Sequence, residues 1–378
     1  MSWSVPLTEI EIPDGDVEAV LDTLRSEWLT MGPRTAELEE AFAEHAGSPH
    51  AVAVSSGTAA LHLACVAAGI GPGDEVIVPA MTFCATAHAA RYAGAETVFC
   101  DSVAPNDPNL DPDDVADRIS PRTKAVIAVH LCGYPARIDR LRELCDERDL
   151  VLIEDCGEGD GGSIDSGRMA GTVGDAGSFS FFSKTQLGVG EGGILVTGDA
   201  GFAERVRSLR SHAMTSVTWD RHRGHAETYD VTDLGFNYRI DEMRATLALR
   251  RLQRLTESVA AMREIAGRYR DLLDDVDGVE LCFAPEAVEP SANFAFPVLL
   301  PDAKTRDAVR ERLHDNGVQT TFYPALSRLT EYRSAAGADS VPRAEEYSDR
   351  HCCLPIFPTL TPERQRLVVD ELRAALLQ

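Results

Sequence analysis

Ala51-Val52-Ala53-Val54-Ser55-Ser56-Gly57-Thr58-Ala59-Ala60-Leu61-His62 changes its rhythm in the middle. Ala51–Val54 is a short apolar run of the kind that forms a buried strand, and Thr58–Ala68 repeats apolar residues at helical spacing. The small residues between them mark a sharp strand-to-helix turn. The same alternation recurs from about residue 50 to residue 200. Strands are expected at Ala51–Val54, Glu75–Pro79, Thr97–Cys100, Ala125–Leu131, Val151–Asp155, Ser178–Phe182 and Gly193–Thr197, with helices such as Thr58–Ala68 and Ile138–Arg148 between them. Short apolar strands alternating with helices predict an α/β fold, with a mostly parallel seven-stranded sheet covered on both faces.

Outward from this block, Leu234 to about Ala260 reads as a loop followed by a long helix rich in Leu, Ala and Arg. After Asp277-Gly278 the pattern becomes α+β: strand Asn293–Leu300, helix Ala303–Asn316, strand Gln319–Tyr323 and a last helix Pro362–Leu377. A chain of 378 residues is too long for one core, so two domains are expected. The large α/β domain spans 1–250 and a smaller C-terminal α+β domain 251–378.

The net charge of −25 disfavours nucleic acid and anionic membrane as partners. No apolar run approaches the roughly 20 residues that span a bilayer, and the first residues lack a secretory pattern. Nine cysteines without a CxxC pair read as reduced thiols rather than a disulfide frame or zinc site, which places the protein in the cytoplasm and predicts no metal. Basic charge is almost all arginine; the only lysines are Lys124, Lys184 and Lys304.

In open α/β sheets ligands bind beyond the carboxyl ends of the strands. Three features fall there. Ser55-Ser56-Gly57-Thr58 opens a helix, where free N–H groups suit a phosphate; an ordinary N-cap is the alternative. Glu154-Asp155 ends an apolar strand and could hold a cationic ring nitrogen or a metal, or simply cap a turn. Lys184 follows the expected strand Ser178–Phe182, as a nucleophile or as a surface residue. Together, a phosphate cradle, a carboxylate and an amine match the needs of pyridoxal 5'-phosphate (PLP). Lys124 precedes a strand in a polar turn, and Lys304 opens a helix after Pro301-Asp302.

Several longer motifs extend this match: Leu29-Thr30-Met31-Gly32-Pro33, the 51–62 stretch, Gly71 to Phe83, Glu154-Asp155, Gly190-Glu191-Gly192-Gly193 and Leu234-Gly235-Phe236-Asn237-Tyr238-Arg239. Through them the chain resembles, nearly end to end, the DegT/DnrJ/EryC1/StrS family of PLP-dependent sugar aminotransferases, which have the type I aminotransferase fold. The resemblance implies that Gly57 and Thr58 bind the cofactor phosphate with Ser180 near it. It implies that Phe83 stacks on the ring and Asp155 pairs with the ring nitrogen. Asn237 would reach the phosphate of the neighbouring subunit, so a homodimer is implied, and Arg239 would contact substrate. The implied reaction is transfer of an amino group, through PLP and pyridoxamine 5'-phosphate (PMP), from glutamate or glutamine to a keto sugar, nucleotide-linked, or to a cyclitol.

The sequence departs from the family twice. Where the family has Phe-Ser-Phe, three variable residues and then lysine, this chain reads Phe179-Ser180-Phe181-Phe182-Ser183-Lys184-Thr185. Thr185 occupies the lysine column and Lys184 lies one place earlier. A bulge would restore Lys184 to the site; otherwise the site has no Schiff-base lysine. Glu158 stands where the family has Gln or His near the cofactor's phenolic oxygen, and becomes the nearest candidate base if the lysine is missing. The stretch from Arg210 and His212 to His225, with Trp219 to Arg223, is a basic and aromatic loop suited to an anionic substrate, or a solvated loop. Tyr323-Pro324 falls where the family's small domain approaches substrate. Two other functions stay open: a lysine-free, dehydratase-like PLP/PMP reaction on a sugar, and a catalytically silent cofactor-binding homologue.

Overall fold

Seven short strands alternate their side chains between two apolar cores, and this builds the large sheet. A computed structural model describes residues 3–164, 167–216 and 228–377. Its strands run in chain order as β1 (His50–Val54), β2 (Glu75–Pro79), β3 (Glu96–Cys100), the hairpin β4 (Ser102–Ala104) and β5 (Asp107–Leu110), then β6 (Thr123–Val129), β7 (Val151–Cys156), β8 (Ala176–Ser180) and β9 (Gly193–Thr197). The large sheet has the order β1-β9-β8-β7-β6-β2-β3 and is parallel except where β9 pairs with its two neighbours. On β1, Val52 and Val54 face one core while Ala51 and Ala53 face the other; Val76 and Val78 against Ile77 do the same on β2. The first core is roofed by the helices Gly57–Ala67, Cys84–Tyr92 and Ala200–Arg210. The second is covered by Pro33–Ala46, Ile138–Arg148 and Glu242–Leu252. Burial on both faces is what a mostly parallel sheet requires.

Beyond Leu252 the chain builds a third core. The helix Leu255–Leu273 packs through Met262, Ile265 and Tyr269 against a small antiparallel sheet of β10 (Glu280–Leu281), β11 (Phe296–Leu299) and β12 (His351–Leu354). The helices Ala303–Asp315 and Pro362–Leu376 complete it, and Val5 from the N-terminal segment is buried there too. No helix among the described residues is long and apolar enough to cross a membrane.

Three expectations need correction. The single long helix after Leu234 is two helices, Glu242–Leu252 and Leu255–Leu273. Gln319–Tyr323 is not a strand: its only ladder contact is the bridge from Thr321 to Cys353. Val318 instead pairs with Val5, and the Gln319 side chain accepts from the Leu7 N–H. The strand expected at Ser178–Phe182 is shifted two residues earlier, to Ala176–Ser180. Gly177 explains the earlier start, because a Cβ there would lie 2.0 Å from the Gly171 carbonyl oxygen. The earlier end puts Lys184 and Thr185 in a turn, not at the strand's last rung.

Candidate active site

The carboxyl ends of β1, β2, β7 and β8 converge. At the end of β1, Ser56 caps the helix Gly57–Ala67 by accepting from the Ala59 N–H at 3.1 Å. The N–H groups of Gly57 and Thr58 open this helix and have no intrahelical acceptor. A Cβ on Gly57 would lie 2.9 Å from the Ser180 Cβ, so only glycine permits the start of the helix Gly57–Ala67 to approach the end of β8. Ser178 closes the same seam, donating to the Gly57 carbonyl at 3.2 Å. Gly57, Thr58 and Ser180 therefore share one corner.

Asp155 ends β7 beside it, since a Cβ on Gly157 would meet both the Asp155 carboxylate at 3.2 Å and the Ser180 Cβ at 3.7 Å. One Asp155 oxygen accepts from the Thr86 hydroxyl at 2.7 Å and the other from the Gly157 N–H at 3.0 Å. Burial pushes its carboxyl above the ordinary range despite these donors. Thr86 was not legible as a functional residue; only its helical spacing after Phe83 places it over Asp155. Phe83, the residue before the helix Cys84–Tyr92, is 70% exposed, an open aromatic face beside a polar corner.

Glu154 and Asp155 separate cleanly. Glu154 is fully buried and accepts from His130, Gly171, Val173 and Gly174 at 2.6 to 2.9 Å. Its oxygens are consumed by the scaffold. Asp155 alone turns toward the corner. Three residues on, Glu158 accepts from the Cys132 N–H at 2.7 Å. Burial, with Asp155 adding to it, pushes Glu158 up to about 7. Tyr323 is close enough for Glu158 to help raise its hydroxyl, after burial and Cys353. The Tyr323 N–H donates to His351, whose ring stacks near it.

The β8–β9 ladder keeps its register from Gly177 to Ser180 and ends four residues before Lys184; beyond it Phe182 bridges Gly190, one residue out of that register. After Ser180 the chain turns: the Thr185 N–H donates to the Phe182 carbonyl at 2.9 Å. The buried Thr185 hydroxyl lies against the Ser180 and Phe182 carbonyls at 2.9 and 3.0 Å. Lys184 is exposed and lines a cleft with Thr8, Phe294 and Tyr323; Gly57, Phe83, Asp155 and Ser180 line no part of that cleft.

The segment Gly235–Arg239 passes the β1 corner, where the Ser55 N–H donates to the Tyr238 carbonyl at 2.8 Å. Asn237 is exposed, and no hydrogen bond of its side chain joins it to the described residues. Arg239 is half-buried, its guanidinium lowered by burial and by Arg210. His212 is exposed at φ +63° and Ala213 follows at φ +51°. Gly235 is what admits this bend, because a Cβ there would fall 2.2 Å from the Ala213 nitrogen. Residues 217–227, including Trp219 to Arg223 and His225 of the basic loop, lie outside the described residues.

Fold and corner together define a type I aminotransferase architecture. The model of the DegT/DnrJ/EryC1/StrS aminotransferase family matches residues 11–373, and the chain belongs to that family. It is 35% identical to the dTDP-4-dehydro-2,3,6-trideoxy-D-glucose 4-aminotransferase of Saccharopolyspora spinosa, over 95% of this chain and 94% of that one. Among solved structures it resembles the aminotransferase TlmJ of Streptoalloteichus hindustanus at 36% identity and TM-score 0.90, covering 100% of this chain and 99% of the other. S. venezuelae DesV matches at 33% identity and TM-score 0.90, covering 99% and 98%.

Proposed function

We propose that this chain is a PLP/PMP-dependent aminotransferase that aminates a keto sugar, nucleotide-linked, with glutamate or glutamine as donor. The observation that carries the reading is the corner of Gly57, Ser180 and Asp155, with the exposed Phe83 preceding the helix whose Thr86 donates to Asp155. The residues fit the cofactor. The N–H groups of Gly57 and Thr58, with Ser180, offer a phosphate cradle. Phe83 offers a stacking face. A buried carboxylate with no cation beside it is costly, and a pyridinium N–H on Asp155 offsets that cost. When bound, the cofactor supplies a carbonyl carbon and an electron-withdrawing ring that can take the amino group from one partner and give it to another.

The residues do the rest. Asp155 keeps the ring nitrogen protonated, and Thr86 fixes its carboxylate. Thr185 in the lysine column has no amine, so the cofactor is held without a covalent bond, and Lys184 stays on the ligand side with Tyr323. Glu158, poised near neutrality, is the group available to accept and return a proton. Arg239 and His212 face incoming substrate. Residues 1–250 form the cofactor domain and 251–378 the smaller one. The active unit is a cytoplasmic homodimer: exposed Leu234 and Val231 stand near the exposed Asn237, an apolar surface suited to a second copy whose site Asn237 completes.

The test is mass analysis of products from keto-sugar nucleotides with glutamate or glutamine. An amino sugar formed at the donor's expense supports the reading. A product that has lost the elements of water favours the lysine-free dehydratase-like reaction, which Thr185 and Glu158 also suit. A colourless protein that retains no cofactor favours a silent homologue.

A further inference from the structure

The cleft lined by Lys184 has chemistry of its own. The turn Ser183–Gln186, the N-terminal segment around Thr8 to Pro13, Arg251, Arg254 and the loop Ile356–Thr359 enclose a cavity of about 120 Å³. That volume is several times the roughly 30 Å³ share of a water molecule, enough for a carboxylate or phosphate head. Thr8, Lys184, Phe294 and Ile356 also line the adjoining recess that reaches Tyr323.

The charges around this cavity are unequally satisfied. Arg254 is paired with Asp16, and Glu9 with Arg364 at 2.9 Å. Arg251 has no carboxylate partner among the described residues. One of its terminal nitrogens donates to the Glu11 backbone carbonyl at 2.8 Å, and its Nε is buried without a hydrogen-bond partner. Lys184 has neither a hydrogen bond nor an ion pair among the described residues. The Gln186 amide donates to the Ala292 carbonyl, while its own oxygen is buried and unpaired. Glu11 is the one carboxylate of the lining without an ion pair among the described residues, and it is exposed. In a chain of net charge −25, Lys184 and Arg251 make no ion pair among the described residues, although the Asp16 charge acts on Arg251 from beside Arg254. A buried donor left unpaired is costly, and a ligand anion could accept from the Arg251 Nε–H.

The geometry points to an anion subsite in this cleft, where Lys184 and Arg251 receive a carboxylate or phosphate group while the rest of the ligand runs past Phe294 toward Tyr323. The subsite stands on its own contacts; only its assignment to the amino acceptor or to the donor rests on the function proposed above. A nucleoside diphosphate would be the acceptor's anion and a dicarboxylate the donor's.

Calorimetric titration of the full-length, cofactor-loaded protein with UDP, inorganic pyrophosphate and glutarate tests it. Binding of at least one is expected, weakening as salt screens the charges. Lys184→Gln and Arg251→Gln should each lower that affinity tenfold or more, with Lys304→Gln unchanged. Preference for UDP or pyrophosphate assigns the site to the acceptor, and preference for glutarate to the donor. Lys184 is exposed, so Lys184→Gln should leave thermal unfolding unaltered and keeps the test valid if Arg251→Gln misfolds. Absence of binding by all three anions, or binding indifferent to Lys184→Gln, overturns the subsite. Anion binding without any sugar product would instead leave the subsite standing and remove only the proposed reaction.

Discussion

The ends of β7 and β8 lie side by side, yet they are built in opposite ways. At the end of β7 the carboxylates are pinned: Glu154 by four donors, Asp155 by Thr86 and Gly157. Beyond the end of β8 the chain turns after Phe182, Thr185 spends its hydroxyl on backbone carbonyls, and the exposed Lys184 has no hydrogen bond or ion pair among the described residues. In the proposed reading, one end would hold a charged ring and the other would present no amine toward it. On that reading cofactor retention and covalent attachment would be separable in this architecture, because different strands provide them.

The largest effect should come from Asp155→Asn. Removing the charge that faces the ring nitrogen should lower turnover by ~10² to 10⁴-fold, following the roughly 3–5 kcal/mol lost when one member of a buried pair is deleted. Steady-state kinetics with saturating cofactor would measure it, and wild-type turnover would sink the assignment. Glu158→Gln comes next, at about 100-fold for a lost acid–base group. In the parent protein, kcat should rise with pH through about 7 as the Glu158 carboxyl ionises to act as base, and the variant should lose that limb. Gly57→Ala should cost about 1–3 kcal/mol through overpacking against Ser180 and should weaken cofactor binding more than it slows the bound enzyme.

A further effect concerns the pH dependence of stability. Burial lowers His351 from 6.5 to about 4, so it is neutral in the fold while the unfolded chain takes up a proton. Stability from this group is complete above pH 6.5 and is lost as pH falls toward 4, by at most about 1.4 kcal/mol per pH unit. Urea titrations from pH 7 to 4 would detect it, with His351→Gln flattening the slope. His351 holds the Tyr323 N–H, so the same loss should loosen the ligand side before the cradle.

Much of this was legible in the sequence because it depends on local pattern. Strands β2 and β9 and the helix Ile138–Arg148 fell where periodicity put them, and Gly57 and Asp155 sit at strand ends as expected. What stayed hidden depends on packing at a distance. The β8 boundary is set by Gly177 against Gly171, six residues earlier in the turn that precedes the strand. The division of labour between Glu154 and Asp155 depends on His130 and the 171–174 backbone, which no local pattern announces. The pairing of Val318 with Val5 turned an apparent strand into a strap, because the N-terminal segment competes for its backbone. The unpaired Arg251 could not be found at all without knowing that Asp16 is claimed by Arg254.

The central claim is that the cofactor is retained by the corner of Gly57, Phe83, Asp155 and Ser180 with no lysine bonded to it. Borohydride reduction of the loaded protein, followed by denaturation and peptide mapping, tests this directly, since reduction makes any carbon–nitrogen double bond to a lysine permanent. The account predicts that the cofactor is released and no lysine peptide carries it, whereas Thr185→Lys acquires the label at position 185. Label on the Lys184 peptide of the unaltered protein would contradict the account.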